Sequence, residues 1–336
     1  MESQPIDQIN RDFEILRVLS GESALEMQVR EMRSEMAEMR ATMEDLKDLA
    51  RQMISEGWNR QHRGNQTGDK VDQIAKLVGP VGIPLPDGTV LTRSLHGQLY
   101  FTDADDTVIT PHLLIYRQWE PDLSELFTRL ITPEMVFVDV GANIGYFTVL
   151  VAAKAGTAAR VFAYEPNPRL IPIMKKSIDA NWSAAPVTLH EAAASDETGS
   201  ATLFIPTSKG GNASMAYAKD GAEVIVPMVT LDETLPADLV VDLMKIDIEG
   251  FELFALKGAN RTIERNPSIK IVLEWSLDQT EAAGVDPKEI ANFFTERGFL
   301  PFDVTLQDLH CPASAALSWD GILSTRYMNL LLARPA

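Results

Sequence analysis

The sequence predicts an α/β protein built on a doubly wound, largely parallel sheet, and three observations predict it. Residues 136–140 form an apolar, β-branched run suited to a buried parallel strand, with Gly141 and Gly145 directly after it and the Ala-, Val- and Leu-rich helical stretch 146–155 beyond. A second strand, 161–164, ends in Glu165, 20 residues past Gly145, so the unit reads strand, glycine turn, helix, strand, acid. Helices of 10 to 15 residues then keep alternating with short apolar strands to the C-terminus, the pattern of a parallel sheet covered on both faces.

Taken in order, the chain divides into a helical region at 1–56, a linker at 57–84 and an α/β domain at 85–336. Ile9, Phe13 and Leu16 mark a short helix before the break Ser20–Ser23. From Leu25 the apolar positions step by four and three: Val29, Met36, Met43 and Ala50 on one line, Met32, Met39, Leu46 and Met53 on the other. That narrow seam over four heptads predicts a parallel coiled coil, about 44 Å long at 1.5 Å per residue. Glu35 and Arg40 fall where they pair between helices. A homodimer or trimer through 25–53 is expected, because a Met-rich seam specifies strand number poorly. Residues 57–70 are polar and Gly-containing, as a linker should be, and the Gly- and Pro-rich stretch 79–86 opens the main domain.

Residues 90–109 carry β-formers in Leu91, Leu99-Tyr100-Phe101 and Thr107-Val108-Ile109, and predict one or two hairpins turning at 94–97 and 103–106. Trp119-Glu120-Pro121 opens a helix over 123–130, with Pro near its start. After Glu165 the spacing predicts a helix at 169–181, a strand at 187–190, a turn at 191–196 and a strand at 201–205. Next come a mobile Gly/Ser/Asn loop at 208–218, strands at 224–231 and 240–248, and a helix at 251–265. A strand at 269–273, a helix at 287–297 and two closing strands, 299–304 and 327–333, complete the domain.

The first strand–turn–helix presents backbone N–H groups at a helix N-terminus, where an anion is stabilised. Glu165, at the end of the second strand, is placed to accept from ribose hydroxyls. Two ligands fit: a dinucleotide and S-adenosylmethionine. The dinucleotide fingerprint is Gly-x-Gly-x-x-Gly, whereas this turn is Gly141-Ala142-Asn143-Ile144-Gly145. It fits Asp-x-Gly-x-Gly-x-Gly, with Asp139 in first place and Asn143 replacing the middle glycine. An ordinary tight turn without a ligand is the plainer alternative.

Five motifs in order then resemble one family: Asp-Val-Gly-Ala-Asn-Ile-Gly-Tyr (139–146), Glu-Pro-Asn (165–167), Thr-Leu-Asp (230–232), Lys-Ile-Asp-Ile-Glu-Gly-Phe-Glu (245–252) and Met-Asn-Leu-Leu (328–331). They look like the FkbM family of methyltransferases over about residues 85–334. The resemblance implies a class I methyltransferase fold, a Rossmann-like sheet of seven strands with the last antiparallel, S-adenosylmethionine as donor and oxygen as the usual acceptor. It implies that Asp139, Gly141, Ala142, Asn143 and Gly145 line the methionine end. Glu165 would hold the ribose, Pro166 and Asn167 would flank the adenine, and Ala194 and Ser195 would approach its edge. Tyr146 is either core or a cover over the donor.

The sulfonium already activates the methyl group, so placement of the acceptor oxygen does much of the work, and a base helps if that oxygen is an unactivated alcohol. Asp247 and Glu249 end the fourth core strand, beside the switch point where ligands bind. Asp247 is the candidate base, with Glu249 and Lys245 beside it. These acids have a plainer reading as favourable charges at a helix N-terminus, and Lys245 as half of a structural ion pair. Glu274 ends the adjacent strand, so Asp247, Glu249 and Glu274 are also candidate ligands for Mg²⁺. The five histidines show no metal spacing.

Net charge of −18 argues against nucleic acid as a partner. One cysteine, Cys311, excludes a disulfide framework and favours a reducing, cytoplasmic setting. No apolar run reaches about 18 residues, so no transmembrane helix is expected. The expectation is an S-adenosylmethionine-dependent O-methyltransferase acting on a small-molecule or glycan hydroxyl, by family analogy a bacterial glycan or glycosylated metabolite, and oligomerised by the coiled coil. A dinucleotide-dependent oxidoreductase and a non-catalytic scaffold that keeps the fold are the alternatives.

Overall fold

The computed structural model describes residues 82–181, 185–206 and 221–335. The heptad seam, nearly all of the expected linker and the 208–218 loop lie outside the described residues.

Three short strands come first, β1 (Gly82–Pro84), β2 (Thr89–Arg93) and β3 (Leu99–Asp103), paired as an antiparallel meander. Two helices follow, α1 (Ile109–Tyr116) and α2 (Pro121–Leu130). The Rossmann-like unit is β4 (Val136–Val140), α3 (Tyr146–Ala155), β5 (Arg160–Tyr164), α4 (Ile171–Ala180) and β6 (Val187–His190). A side sheet is made by β7 (Ala193–Ala194), β8 (Gly199–Pro206) and β9 (Gly221–Val229). The second half comprises α5 (Leu231–Thr234), β10 (Leu243–Ile246), α6 (Glu252–Gly258), α7 (Asn260–Arg265), β11 (Lys270–Ser276), α8 (Leu277–Ala282), α9 (Pro287–Glu296), β12 (Leu300–Asp303), α10 (Trp319–Leu323) and β13 (Tyr327–Ala333). Among the described residues no helix is long and apolar enough to cross a membrane.

The main sheet runs β12-β13-β11-β10-β4-β5-β6. Strands β4, β5, β6, β10 and β11 pair in parallel, and β13 lies antiparallel to both β11 and β12. The order reverses between β4 and β10, and in open α/β sheets ligands bind beside that point, at the carboxyl ends of the strands.

Side chains alternate across the sheet because successive Cβ atoms point to opposite faces. Val136, Val138, Val140, Met244, Ile246, Ile271 and Leu273 pack beneath α6, α7, α9 and α10. Phe137, Leu243, Val272 and Leu331 pack against α2 and α3 on the other face. Asp139, Lys245 and Glu274 share the parity of that second set. The register joins them into a polar row, with Lys245 opposite Asp139 and Glu274 opposite Asn329.

The structure adds α5, α8 and α10 and places β7 inside the turn expected at 191–196, and three expected elements change. Thr107-Val108-Ile109 is not a strand. The Asp106 carboxylate accepts from the backbone N–H of Val108 (3.1 Å) and Thr110 (2.6 Å), and this local capture starts α1 instead. The strand expected at 240–248 is only Leu243–Ile246, because Glu249 (φ 58°) and Gly250 (φ 104°) take left-handed backbone and turn the chain away. The helix expected at 251–265 divides at Ala259 (φ −107°). Asp232 accepts from the N–H of Arg261 and Thr262, each at 2.8 Å, and restarts it.

Candidate active site

A cleft opens at the carboxyl ends of β4, β5, β10 and β11. Its first wall is the β4–α3 turn. Gly141 sits at φ 82°, and a Cβ there would stand 1.9 Å from the carbonyl oxygen of Asp247, so no other residue fits between the two strand ends. The N–H groups of Gly141 and Ala142 both donate to the Tyr164 carbonyl at 3.0 Å, which ties this turn to β5. Asn143, also left-handed at φ 54°, accepts from the N–H of Ile144 through its own side chain, at 2.8 Å. That self-capping is what Asn offers where the motif otherwise has glycine.

Glu165 is the hinge of this wall. One carboxylate oxygen accepts from the N–H of Asn143 and the other from the N–H of Asn167, both at 2.8 Å. Burial pushes its carboxyl up to about 7, against the pull of these two donors. Each oxygen has accepted one bond, and a carboxylate oxygen accepts more than one, so capacity remains for a pair of ribose hydroxyls. Pro166, Leu170, Ala192, Ala193, Ala194 and Leu203 form an apolar slot alongside, of the chemistry an adenine ring needs.

The second wall is the polar row. Lys245, 4% exposed, places its ammonium 2.7 Å from a carboxylate oxygen of Asp247 and 5.4 Å from the Phe147 ring centroid. Burial alone would pull its pKa down, but the carboxylates of Asp247, Asp139 and Glu120 outweigh that and hold it firmly protonated. Asp139, 1% exposed, accepts from Thr148 Oγ1 at 2.6 Å. Burial raises its carboxyl, opposed by Lys245. Asp247, Glu249 and Glu274 bring a carboxylate oxygen each within 4.8 Å of one another. Each also has a partner: Lys245 for Asp247, the Gln279 amide for Glu249, and the Tyr327 hydroxyl for Glu274 at 2.8 Å. Burial raises the Glu274 carboxyl, and the neighbouring Asp247 and Glu249 push it further.

Of the residues expected at the donor, Gly141, Ala142, Asn143, Tyr146, Glu165, Pro166 and Ala194 line the cleft, as do Lys245, Asp247, Glu249 and Glu274 of the acidic side. Asp139, Gly145, Asn167 and Ser195 stand behind this lining: Asp139 beneath Lys245, Gly145 against Met174, Asn167 on Glu165, and Ser195 bonded through its N–H to Val229. Tyr146 is core on one side. Its ring stacks on Tyr100 (centroids 5.0 Å), and its hydroxyl accepts from Ser124 at 3.1 Å.

Sequence reasoning missed Glu120, Tyr327 and Glu252. Glu120 enters the cleft from the start of α2 and Tyr327 from the residue before the Met-Asn-Leu-Leu motif, with Asn329 of that motif holding Glu120. Glu252 was quoted in its motif without a role. One of its buried oxygens accepts from the N–H of both Ile248 and Gly250, at 3.1 Å each, and so shapes the loop that carries Glu249. An acid two residues beyond an Ile-Glu-Gly turn was the available signal.

Burial lifts the Glu252 carboxyl to about 7. Folded Glu165 and Glu252 thus hold a proton more tightly than the same groups unfolded. Their contribution favours the fold below their ordinary value of 4.5 and is lost as pH rises through about 7. Each is worth at most on the order of 3 kcal/mol, at about 1.4 kcal/mol per pH unit. We expect Glu252→Gln, which keeps the accepting oxygen, to flatten the fall in melting temperature between about pH 5 and 8. An unchanged slope would contradict that origin.

The strand order, the antiparallel last strand, the glycine turn at the switch point and the acid at the end of β5 define an S-adenosylmethionine-dependent methyltransferase of class I fold. Residues 139–301 match the family model of the methyltransferase FkbM domain. A curated relative, the hexuronic acid methyltransferase AglP of Haloferax volcanii, is 26% identical over 180 residues, which is 53% of this chain and 68% of that protein. Among solved structures, a SAM-dependent O-methyltransferase from Thermotoga maritima is 9% identical, with 76% of this chain and 86% of that chain covered and a TM-score of 0.38. An rRNA methylase from Streptococcus thermophilus is also 9% identical, with 63% and 94% covered and a TM-score of 0.37.

Proposed function

We propose that this methyltransferase transfers its methyl group to a hydroxyl of a glycan or glycosylated small molecule, with Asp247 as the base. The observation that carries the reading is the convergence of Asp247, Glu249 and Glu274 beside the glycine turn, where an acceptor must lie to reach the donor. The relative named for a hexuronic acid supports the sugar class of acceptor. S-Adenosylmethionine supplies, when bound, a methyl group already activated on a sulfonium.

The chain's own residues do the rest. Glu165 accepts from the ribose, and Gly141 and Asn143 hold the turn against β5. Lys245, kept charged by its carboxylates, fixes Asp247 Oδ2 at 2.7 Å and so orients the carboxylate that takes the acceptor proton. Glu249 and Glu274 hydrogen-bond neighbouring hydroxyls and orient the acceptor, which contributes through placement. Titration calorimetry tests the core of this: S-adenosylmethionine and S-adenosylhomocysteine should bind and NAD should not. NAD binding in their place returns the protein to the oxidoreductase class.

A second reading adds Mg²⁺ on Asp247, Glu249 and Glu274, favoured by their oxygens lying within 4.8 Å of one another. There a bound cation would lower the acceptor hydroxyl's pKa.

The heptads at 25–53 carry the proposal of a homodimer or trimer. Deletion of residues 1–56 is expected to leave a folded domain that binds the donor but sediments as a smaller oligomer. Equal masses by light scattering for the two lengths would exclude that role.

A further inference from the structure

We infer, resting on the sugar-methylating reading above, that the cleft takes acceptors whose reacting sugar is neutral or amine-bearing and rejects uronates, with Glu120 as the residue that sets this preference. Glu120 stands at the start of α2 with φ 41° and ψ 79°, a conformation a glutamate avoids unless its surroundings impose it. Its carbonyl accepts from the Ser124 N–H at 2.9 Å, and its Oε1 accepts from the amide of Asn329 on β13 at 3.5 Å. Its Oε2 is buried and has no protein partner. Glu274 takes the Tyr327 hydroxyl on Oε1 at 2.8 Å, and its carboxyl, raised by burial and by the neighbouring Asp247 and Glu249, hydrogen-bonds Asp247.

Asp247, Glu249 and Glu274 line the same cleft as Glu120. Among the described residues that line the cleft, Lys245 is the one cation, and it already sits on Asp247. A buried acceptor oxygen without a donor calls for a hydroxyl or ammonium group, which donates. A uronate carboxylate only accepts, and adds a like charge beside Asp247, whose own charge adds to burial in raising the carboxyls of Glu120 and Glu274. Trp119 and Tyr327 lie at the same rim, and Tyr327 is 54% exposed, offering ring faces to the C–H surface of a pyranose. Rejection by unpaired like charge is how a site refuses a near-identical competitor.

The test uses the full chain with methyl-labelled S-adenosylmethionine and a mixed glycan pool separated by charge. Label is expected in the neutral and amine-bearing fractions. Within the labelled class, a hexoside should exceed its C6-oxidised uronate in kcat/KM by on the order of a hundredfold, the scale of one like-charge contact at a partly buried site. Glu120→Gln should shrink that ratio through a lower KM for the uronate, with donor affinity unchanged. Added salt should shrink it in the unaltered protein too, which keeps the test valid should the variant not fold.

Label in the anionic fraction, or a ratio indifferent to both salt and Glu120→Gln, overturns the inference and leaves methyl transfer to sugars standing. Label in no fraction while the donor binds overturns the sugar class and the inference with it. Absence of donor binding refutes the methyltransferase reading itself.

Discussion

Asp247→Asn should lower turnover by roughly 10²- to 10⁴-fold, the range for a lost general base, while S-adenosylmethionine affinity falls far less. Asparagine keeps the shape of the side chain and an oxygen for the Lys245 ammonium, which now lies 2.7 Å away, so the second wall of the cleft should hold. What asparagine cannot do is take a proton from an alcohol. Lys245 is not the control for this experiment, since removing it leaves the buried Asp139 without the cation that opposes its burial and costs stability. The control is chelation. If Asp247 works as a base alone, EDTA leaves the rate of the unaltered protein untouched. If a cation bridges Asp247, Glu249 and Glu274, EDTA abolishes activity and Mg²⁺ restores it. Full activity in a folded Asp247→Asn protein removes both versions together.

The main sheet was legible in the sequence because each core strand announces itself locally. Val136–Val140 and Tyr327–Ala333 appear with the bounds the apolar runs suggest, and the glycines and Glu165 stand at fixed chain distance from their strands. The row Lys245, Asp247 and Glu274 was also readable, since period-two alternation sends these residues to one face of neighbouring strands. Elements decided by a side chain capturing nearby backbone were not. Asp106 converts a β-rich tripeptide into the start of α1, and Asp232, some 30 residues upstream in sequence, restarts a helix that propensity alone would have run through. Glu120 and Tyr327 were missed for a third reason. They reach the cleft from a loop before the first core strand and from the start of the last, separations that no local motif encodes. The motif Met-Asn-Leu-Leu, directly after Tyr327, was visible, but only the fold shows its Asn329 holding Glu120.

Glu165→Ala should cost both donor affinity and the turn that frames the donor. On binding, the loss of a charge-assisted acceptor for ribose is worth about 1.5–3 kcal/mol, or roughly ten- to a hundred-fold in Kd. On the free protein, the N–H groups of Asn143 and Asn167 lose their acceptor, at about 1–3 kcal/mol for each that stays unsatisfied. Glutamine is no remedy, because Glu165 uses both oxygens, and an amide would set an NH₂ donor against one of those two N–H groups. Thermal unfolding should therefore rank the native protein above Glu165→Gln and Glu165→Ala, with donor binding weakened in both. The protonation of Glu165 supplies an independent readout. Its carboxyl sits at about 7 in the free protein. Ribose hydroxyls donating to it favour the ionised form, so binding should release up to roughly half a proton near pH 7. Titrations in buffers of different ionisation enthalpy measure that release directly. It should vanish in Glu165→Gln, whereas unchanged donor affinity and unchanged proton release in a folded Glu165→Ala protein would place the donor elsewhere.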